Sequence, residues 1–207
     1  MRGKFITFEG CEGSGKSTQL RLLGQFLTEQ GIDFIMTREP GGSEIAEDIR
    51  RIILNGKYTA MCDECEALLY AASRMQHIKE VVEPALAAGK LVVCDRYVDS
   101  SFAYQGYARG LGMEFIKNIN AYALANYSPD LTIFLDISPK EAFERKHGAD
   151  PNDRLEKMGM EFHQKVYTGY QNLVKEYSRF CAVDCRGSKS ETLEKIKKLL
   201  KAKNIIK

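Results

Sequence analysis

The sequence predicts an α/β fold, a single parallel sheet covered by helices on both faces. Three observations carry this: five short apolar runs, long stretches of helical character between them, and a glycine-rich turn joining the first run to the first helix. Parallel strands need crossover connections that cover both sheet faces, so their strands read as nearly unbroken apolar segments. The first run, Phe5–Glu9, is β-branched and aromatic; after the glycines, Leu20, Leu23 and Leu27 recur at helical spacing. Further strands are expected at 34–37, Leu91–Asp95, Leu131–Asp136 and Phe180–Asp184. Ligands of such sheets collect beyond the carboxyl ends of the strands. Between the later helices, 145–154 reads Arg-Lys-His-Gly-Ala-Asp-Pro-Asn-Asp-Arg, the turn residues and charges of an exposed loop, and a mobile lid is expected at about 145–156.

Bulk properties agree with one folded unit spanning residues 1–207. With 44% hydrophobic and 28% charged residues, the chain has the balance of a globular protein and enough length to bury a core without disulfides. A net charge of +2 gives no electrostatic reason to expect nucleic acid or an anionic membrane as partner, so any functional positive charge must be local. The apolar stretch after Met-Arg-Gly-Lys stops at Glu9, and no run approaches the length of a membrane span, so a cytoplasmic location is expected. The six cysteines do not form a disulfide framework. Cys62-Asp-Glu-Cys65 has a metal-binding spacing, but Cys181 and Cys185 are three residues apart and far away in sequence, which disfavours zinc.

Gly10-Cys11-Glu12-Gly13-Ser14-Gly15-Lys16-Ser17 matches the eight-residue phosphate-binding loop, and it follows a strand and opens a helix as that motif requires. The predicted class is therefore a P-loop NTPase fold. Glycines let successive N–H groups face a phosphate at the positive helix end, from Gly10 through Ser17 and Thr18. Lys16 suits the β- and γ-phosphates of a nucleotide, and Ser17 suits Mg2+. Asp95, a carboxylate ending an apolar strand, is the second candidate Mg2+ ligand. Cys11 lies near a helix N-terminus, which lowers a thiol pKa, while Glu12 beside it opposes the shift.

A P-loop leaves the phosphoryl acceptor open. Four further stretches narrow it: Arg38-Glu39-Pro40-Gly41-Gly42-Ser43, the Tyr70 to Arg74 spacing followed by Gln76-His77, Asp95-Arg96-Tyr97, and Ser101 with Ala103-Tyr104-Gln105. In order and spacing, over most of the chain, these resemble the thymidylate kinases. The resemblance implies transfer of phosphate from Mg-ATP to dTMP, giving dTDP, and a homodimer packed through helices; the apolar helical stretches at 67–72 and 121–125 suit either such a face or the core. It implies that Arg96 and Arg50 hold the acceptor phosphate, Glu39 meets the sugar 3′-hydroxyl, Tyr70 stacks on thymine and Arg74 bonds a base carbonyl. Ser101, Tyr104 and Gln105 would recognise the base and crowd the sugar's 2′ position. The usual residue at position 70 is Phe, so Tyr70 is a mild departure. The acceptor phosphate is already an oxyanion, so positioning and charge should suffice for catalysis. Family members with an acidic P-loop residue like Glu12 supply lid arginines, which here makes Arg154, then Arg145, the candidates. The alternatives are another nucleoside or deoxynucleoside monophosphate kinase of this fold, or a P-loop regulatory module.

Overall fold

In the computed structural model, which describes residues 2–146 and 158–206 with the Lys146 side chain excepted, five strands form one parallel sheet in the order β2-β3-β1-β4-β5. The strands are β1 (Phe5–Glu9), β2 (Phe34–Arg38), β3 (Leu91–Asp95), β4 (Leu131–Asp136) and β5 (Phe180–Asp184). They match the expected runs, with β2 one residue longer. All four neighbour pairings are parallel, and the register sets Phe8 opposite Asp95 on β3 and Ile133 on β4. The carboxyl ends of β1, β3 and β4 therefore open onto the same edge of the sheet.

Strand alternation divides the core in two. Phe5, Val92, Cys94, Phe134 and Phe180 point into one cluster, where they meet Tyr97, Phe102, Val166 and Tyr170. Ile6, Phe8, Val93, Ile133 and Leu135 point to the other face and pack on Leu23 and Leu27 of α1 (Lys16–Glu29) and on Ile196 and Leu200 of α10 (Lys189–Ala202). Ser188 and Glu191 form a reciprocal capping box that starts α10, and the Gln19 side chain ties α1 to it by donating to the Lys189 carbonyl at 3.0 Å.

The first face also holds the elements that build the site. These are α2 (Glu44–Leu54), α3 (Asp63–His77), a π-helical turn over Ile78–Val82 leading into α4 (Glu83–Ala87), and α5 (Val98–Ser101) with a second π-helical stretch over Phe102–Ala108. After α6 (Met113–Ile119) and α7 (Ala121–Tyr127), the chain returns through β4 to α8 (Pro139–Lys146) and α9 (Met160–Glu176). Gly169 of α9 lets that helix approach the second π-helical stretch: a Cβ there would lie 3.1 Å from the Tyr107 side chain and 3.2 Å from the Ala103 backbone.

One buried polar group inside this face is fully paired. Asp99, fully buried, accepts from both guanidinium ends of Arg179 at 2.7 and 2.8 Å and from Thr132, whose hydroxyl also meets Thr7 at 2.9 Å. A bidentate arginine compensates a buried carboxylate that would otherwise strongly oppose folding. Most of the expected lid, including Arg154, lies outside the described residues; Arg145 sits in the last turn of α8.

Candidate functional site

Gly10 leaves β1 with φ at 151°, and a Cβ there would meet the Ser14 hydroxyl at 2.9 Å and the Leu135 carbonyl at 3.2 Å. Only glycine fits without displacing the loop. The turn closes with Ser14 N–H donating to the Cys11 carbonyl, and α1 begins directly at Lys16. Glu12 through Thr18 line a shallow concavity around the N-terminus of α1, where backbone N–H groups and the helix dipole favour an anion. Lys16 is mostly buried and donates to the Gly10 carbonyl at 3.2 Å. Cys11 is buried too, and burial pushes its thiol up to about 12, which answers the opposing influences at this position in favour of an unreactive thiol.

Next to the loop lies a cleft of about 310 Å³, lined from Lys16 and Ser17 through Asp95 and Arg96 to Gln105. Glu39, Arg50, Tyr70, Arg74 and Tyr104 also line it, so the structure gathers most of the sequence-predicted acceptor residues around one space. Arg38 and Ser100 line it as well and had no predicted role. Ser101 is fully buried behind the wall, where its hydroxyl accepts from Arg74; Ser100 faces the cleft in its place.

The wall is built from buried charge. Glu9 ends β1 fully buried, and its carboxylate accepts from the Tyr97 amide at 2.8 Å, the Ser100 hydroxyl at 2.6 Å and the Tyr170 hydroxyl at 2.7 Å. Burial, assisted by the charge of Asp99, raises the Glu9 carboxyl to about 7. The clamp on the Tyr97 amide follows Arg96, whose φ of 67° is a left-handed conformation that a residue with a long side chain rarely adopts. The turn aims the Arg96 guanidinium at the P-loop, where it pairs with Glu12. Arg96 also donates to the hydroxyls of Ser100, Tyr104 and Tyr170 at 3.1 to 3.2 Å. The acidic P-loop residue thus has a cation in contact within the described chain.

A second buried pair forms the far side. Arg74 donates to Glu39 at 2.7 Å and to Asn120 at 2.6 Å, while His77 Nδ1 lies 3.0 Å from the other Glu39 oxygen and His77 Nε2 lies 2.6 Å from the Thr37 hydroxyl. Pro40 and two glycines bring β2 to this point; at Gly42, with φ of 88°, a Cβ would stand 2.6 Å from the His77 ring. The Pro40 carbonyl accepts from Arg50 at 2.9 Å.

Among the described residues, Asp95 Oδ1 is buried with no hydrogen-bond partner. Asp95 and Ser17 line the same cleft, and their side chains offer only oxygen donors, a chemistry suited to Mg2+. No group of three or more His, Cys, Asp or Glu side chains could hold a metal among the described residues, and Cys62 and Cys65 are exposed at the start of α3, away from β5 with Cys181. Arg145 lines neither the loop nor the cleft. It donates to the Cys185 and Arg186 carbonyls at 2.8 and 3.1 Å, bracing the turn after β5.

Sequence reasoning missed Glu9, Glu66, Asn120 and Tyr170. A signal existed for Glu66, which falls on the face of α3 that also carries Tyr70 and Arg74, at steps of four.

A phosphate-binding loop, a cation-lined cleft beside it and a carboxylate with a free oxygen at a strand end define a P-loop phosphotransferase with a separate acceptor site. The family model described as thymidylate kinase matches residues 8–196, and this chain belongs to the thymidylate kinase family. It is 50% identical over 187 residues to the thymidylate kinase of Geobacillus sp. (strain WCH70), covering 89% of each chain. It is 45% identical over 202 residues to that of Finegoldia magna, covering 98% of this chain and all of the relative. Against the thymidylate kinase of Clostridium novyi it is 45% identical over 203 residues, covering 97% and 99%. Among the described residues no helix is long and apolar enough to cross a membrane.

The raised Glu9 carboxyl carries a sign that can be measured. The folded chain keeps this proton up to about pH 7, whereas the unfolded chain releases it near the ordinary value of 4.5. The folded state therefore binds more protons between these limits, and Glu9 lowers stability as pH rises through them, with the loss complete above about 7. In urea unfolding from pH 4.5 to 8, the stability of wild type minus that of Glu9→Gln is expected to fall with pH and then level off. A difference independent of pH contradicts the assignment.

Proposed function

We propose that this enzyme transfers the γ-phosphoryl group of ATP to dTMP with Mg2+ as cofactor. The observation that carries the reading is that a single cleft runs from the P-loop lysine to the Arg74, Tyr70 and Gln105 end. In this reading a nucleoside monophosphate lies with its phosphate beside the P-loop and its base toward Tyr70, Arg74 and Gln105.

Backbone N–H groups of 13–18 bind the donor phosphates, and Lys16 leaves its loop carbonyls to meet them. Ser17 and Asp95 hold Mg2+, which offsets charge on the donor phosphates when bound. Arg96 and Arg50 hold the acceptor dianion and orient an oxygen toward the donor, with Arg38 adding charge at the same end. Because the acceptor oxygen carries no proton to remove, no side chain needs to act as base. Glu39 keeps lone pairs beyond those used by Arg74 and His77, and these accept the sugar 3′-hydroxyl. Tyr70 provides a face for the base, and Arg74 reaches a base carbonyl. Tyr104, anchored through its hydroxyl to Arg96, fills the place a 2′-hydroxyl would need.

Coupled measurement of ADP formation with dTMP, dUMP, dCMP, AMP and thymidine as acceptors tests this directly. dTMP is expected to give the highest kcat/KM and thymidine no reaction; another monophosphate preferred over dTMP would overturn the assignment.

Arg154 is proposed as the lid arginine that stabilises charge on the transferred group, and Arg145 as the residue that braces the lid's first end against the turn after β5. Arg154→Ala is expected to lower kcat roughly a hundredfold while leaving the KM for dTMP within about twofold. An unchanged kcat removes Arg154 from the mechanism.

The cytoplasm suits six free thiols, all present as such in the described chain. Homodimerisation is also proposed. Ile45 and Ile52 on α2 and Leu68 on α3 are large apolar residues that stay about half exposed on helices packed against one another. Sedimentation velocity is expected to give a dimer for wild type and a monomer for Leu68→Glu; a wild-type monomer at micromolar concentration contradicts the proposal.

A further inference from the structure

Gln105 is 2% exposed and lines the cleft, and its amide nitrogen donates at 2.7 Å to Glu66. Glu66 itself is fully buried and does not line the cleft. Its other carboxylate oxygen accepts from Arg109 at 2.9 Å, and Arg109 also pairs with Asp63 at 3.3 Å and lies over the Phe162 ring. Glu66 is thus held from α3 and from the end of the second π-helical stretch, with an arginine balancing its charge.

A side-chain amide can be turned either way, and only one way fits here. A carboxylate paired with arginine offers acceptors alone, so an amide oxygen at 2.7 Å would set two acceptors against each other in a buried place. The NH2 group must face Glu66. Carbonyl Oε1 is then the acceptor that this amide, which lines the cleft, has to offer.

We infer that Glu66 is a positioning residue for base selection, one that fixes the Gln105 amide so that the cleft offers an acceptor to the nucleobase. The inference rests on the pyrimidine monophosphate reading of the cleft. A thymine or uracil ring carries N3–H, a donor that matches Oε1. A cytosine ring carries an unprotonated N3, and its lone pair would face the Gln105 oxygen. A freely rotating amide would serve both rings by flipping; Glu66 removes that freedom. A buried site built for a donor rejects an acceptor because both groups lose water and gain no partner.

The test uses wild type, Glu66→Gln, Gln105→Ala and the double variant, with dTMP and dCMP as acceptors in the ADP-release assay. Gln at position 66 keeps the shape but can receive the Gln105 amide in either orientation. The ratio of kcat/KM for dTMP over dCMP is expected to fall about tenfold or more in Glu66→Gln, through KM, with kcat for dTMP within about twofold. In the Gln105→Ala background the same change should leave that ratio within about twofold, because the group being positioned is gone.

A wild-type ratio in Glu66→Gln overturns the inference, and so does an equal loss in both backgrounds, which would mark a structural role in α3. If wild type itself shows no preference for dTMP over dCMP, the reading of the cleft fails, and this is seen before any variant is made. Should Glu66→Gln not fold, Glu66→Asp is read in its place. Its shorter carboxylate loosens the amide, and a severalfold fall in the ratio is expected; a wild-type ratio overturns the inference.

Discussion

The Glu9 carboxylate is the constraint on which the site depends. It ends the central strand fully buried, and it captures the amide of Tyr97 just after Arg96 has turned left-handed. That acceptor and the Phe8 carbonyl, which takes the Arg96 amide at 2.9 Å, together hold a strained turn that a residue with a long side chain avoids. With it, Arg96 is delivered to Glu12 on the P-loop, and two tyrosine hydroxyls and a serine complete its surroundings. Donor and acceptor ends of the cleft are therefore joined through one strand end.

The opposite end is organised by the same physics with other residues. Glu39 and Arg74 form a buried pair that His77, Asn120 and Ser101 also hold in place. A buried ion pair adds little to stability by itself, but it fixes geometry when its partners are satisfied. Glu66 and Arg109 repeat the arrangement about two turns earlier on α3, behind Gln105. The cleft is thus lined by polar groups whose directions are set before any nucleotide arrives, the condition under which electrostatic positioning is most effective.

Much of this was legible in the sequence, for identifiable reasons. The five strands read as apolar runs because both faces of the sheet are covered, and the P-loop read as a motif because its chemistry is local to eight residues. Glu39, Arg50, Tyr70, Arg74, Arg96, Tyr104 and Gln105 were named from short stretches, and the fold brings them to one cleft. Ser100 and Ser101 are neighbours on α5 and only Ser100 lines the cleft, a difference that residue spacing alone does not reveal. Glu9, Glu66 and Tyr170 were missed because their roles arise from contacts across 91, 39 and 161 residues. A glutamate at the end of an apolar strand gives no sign of which amide it will hold. Arg145 was named second to Arg154 because the resemblance implies lid arginines; in the structure it donates to two carbonyls after β5.

One prebuilt cleft is proposed to orient a pyrimidine monophosphate with its phosphate toward the P-loop. A crystal structure of the enzyme with dTMP and a non-hydrolysable ATP analogue tests it most directly. The expected result is the monophosphate against Arg96 and Arg50, the 3′-hydroxyl at Glu39, and base N3 within hydrogen-bond distance of Gln105 Oε1. A dTMP molecule bound in the reverse direction, or outside this cleft, would contradict the account.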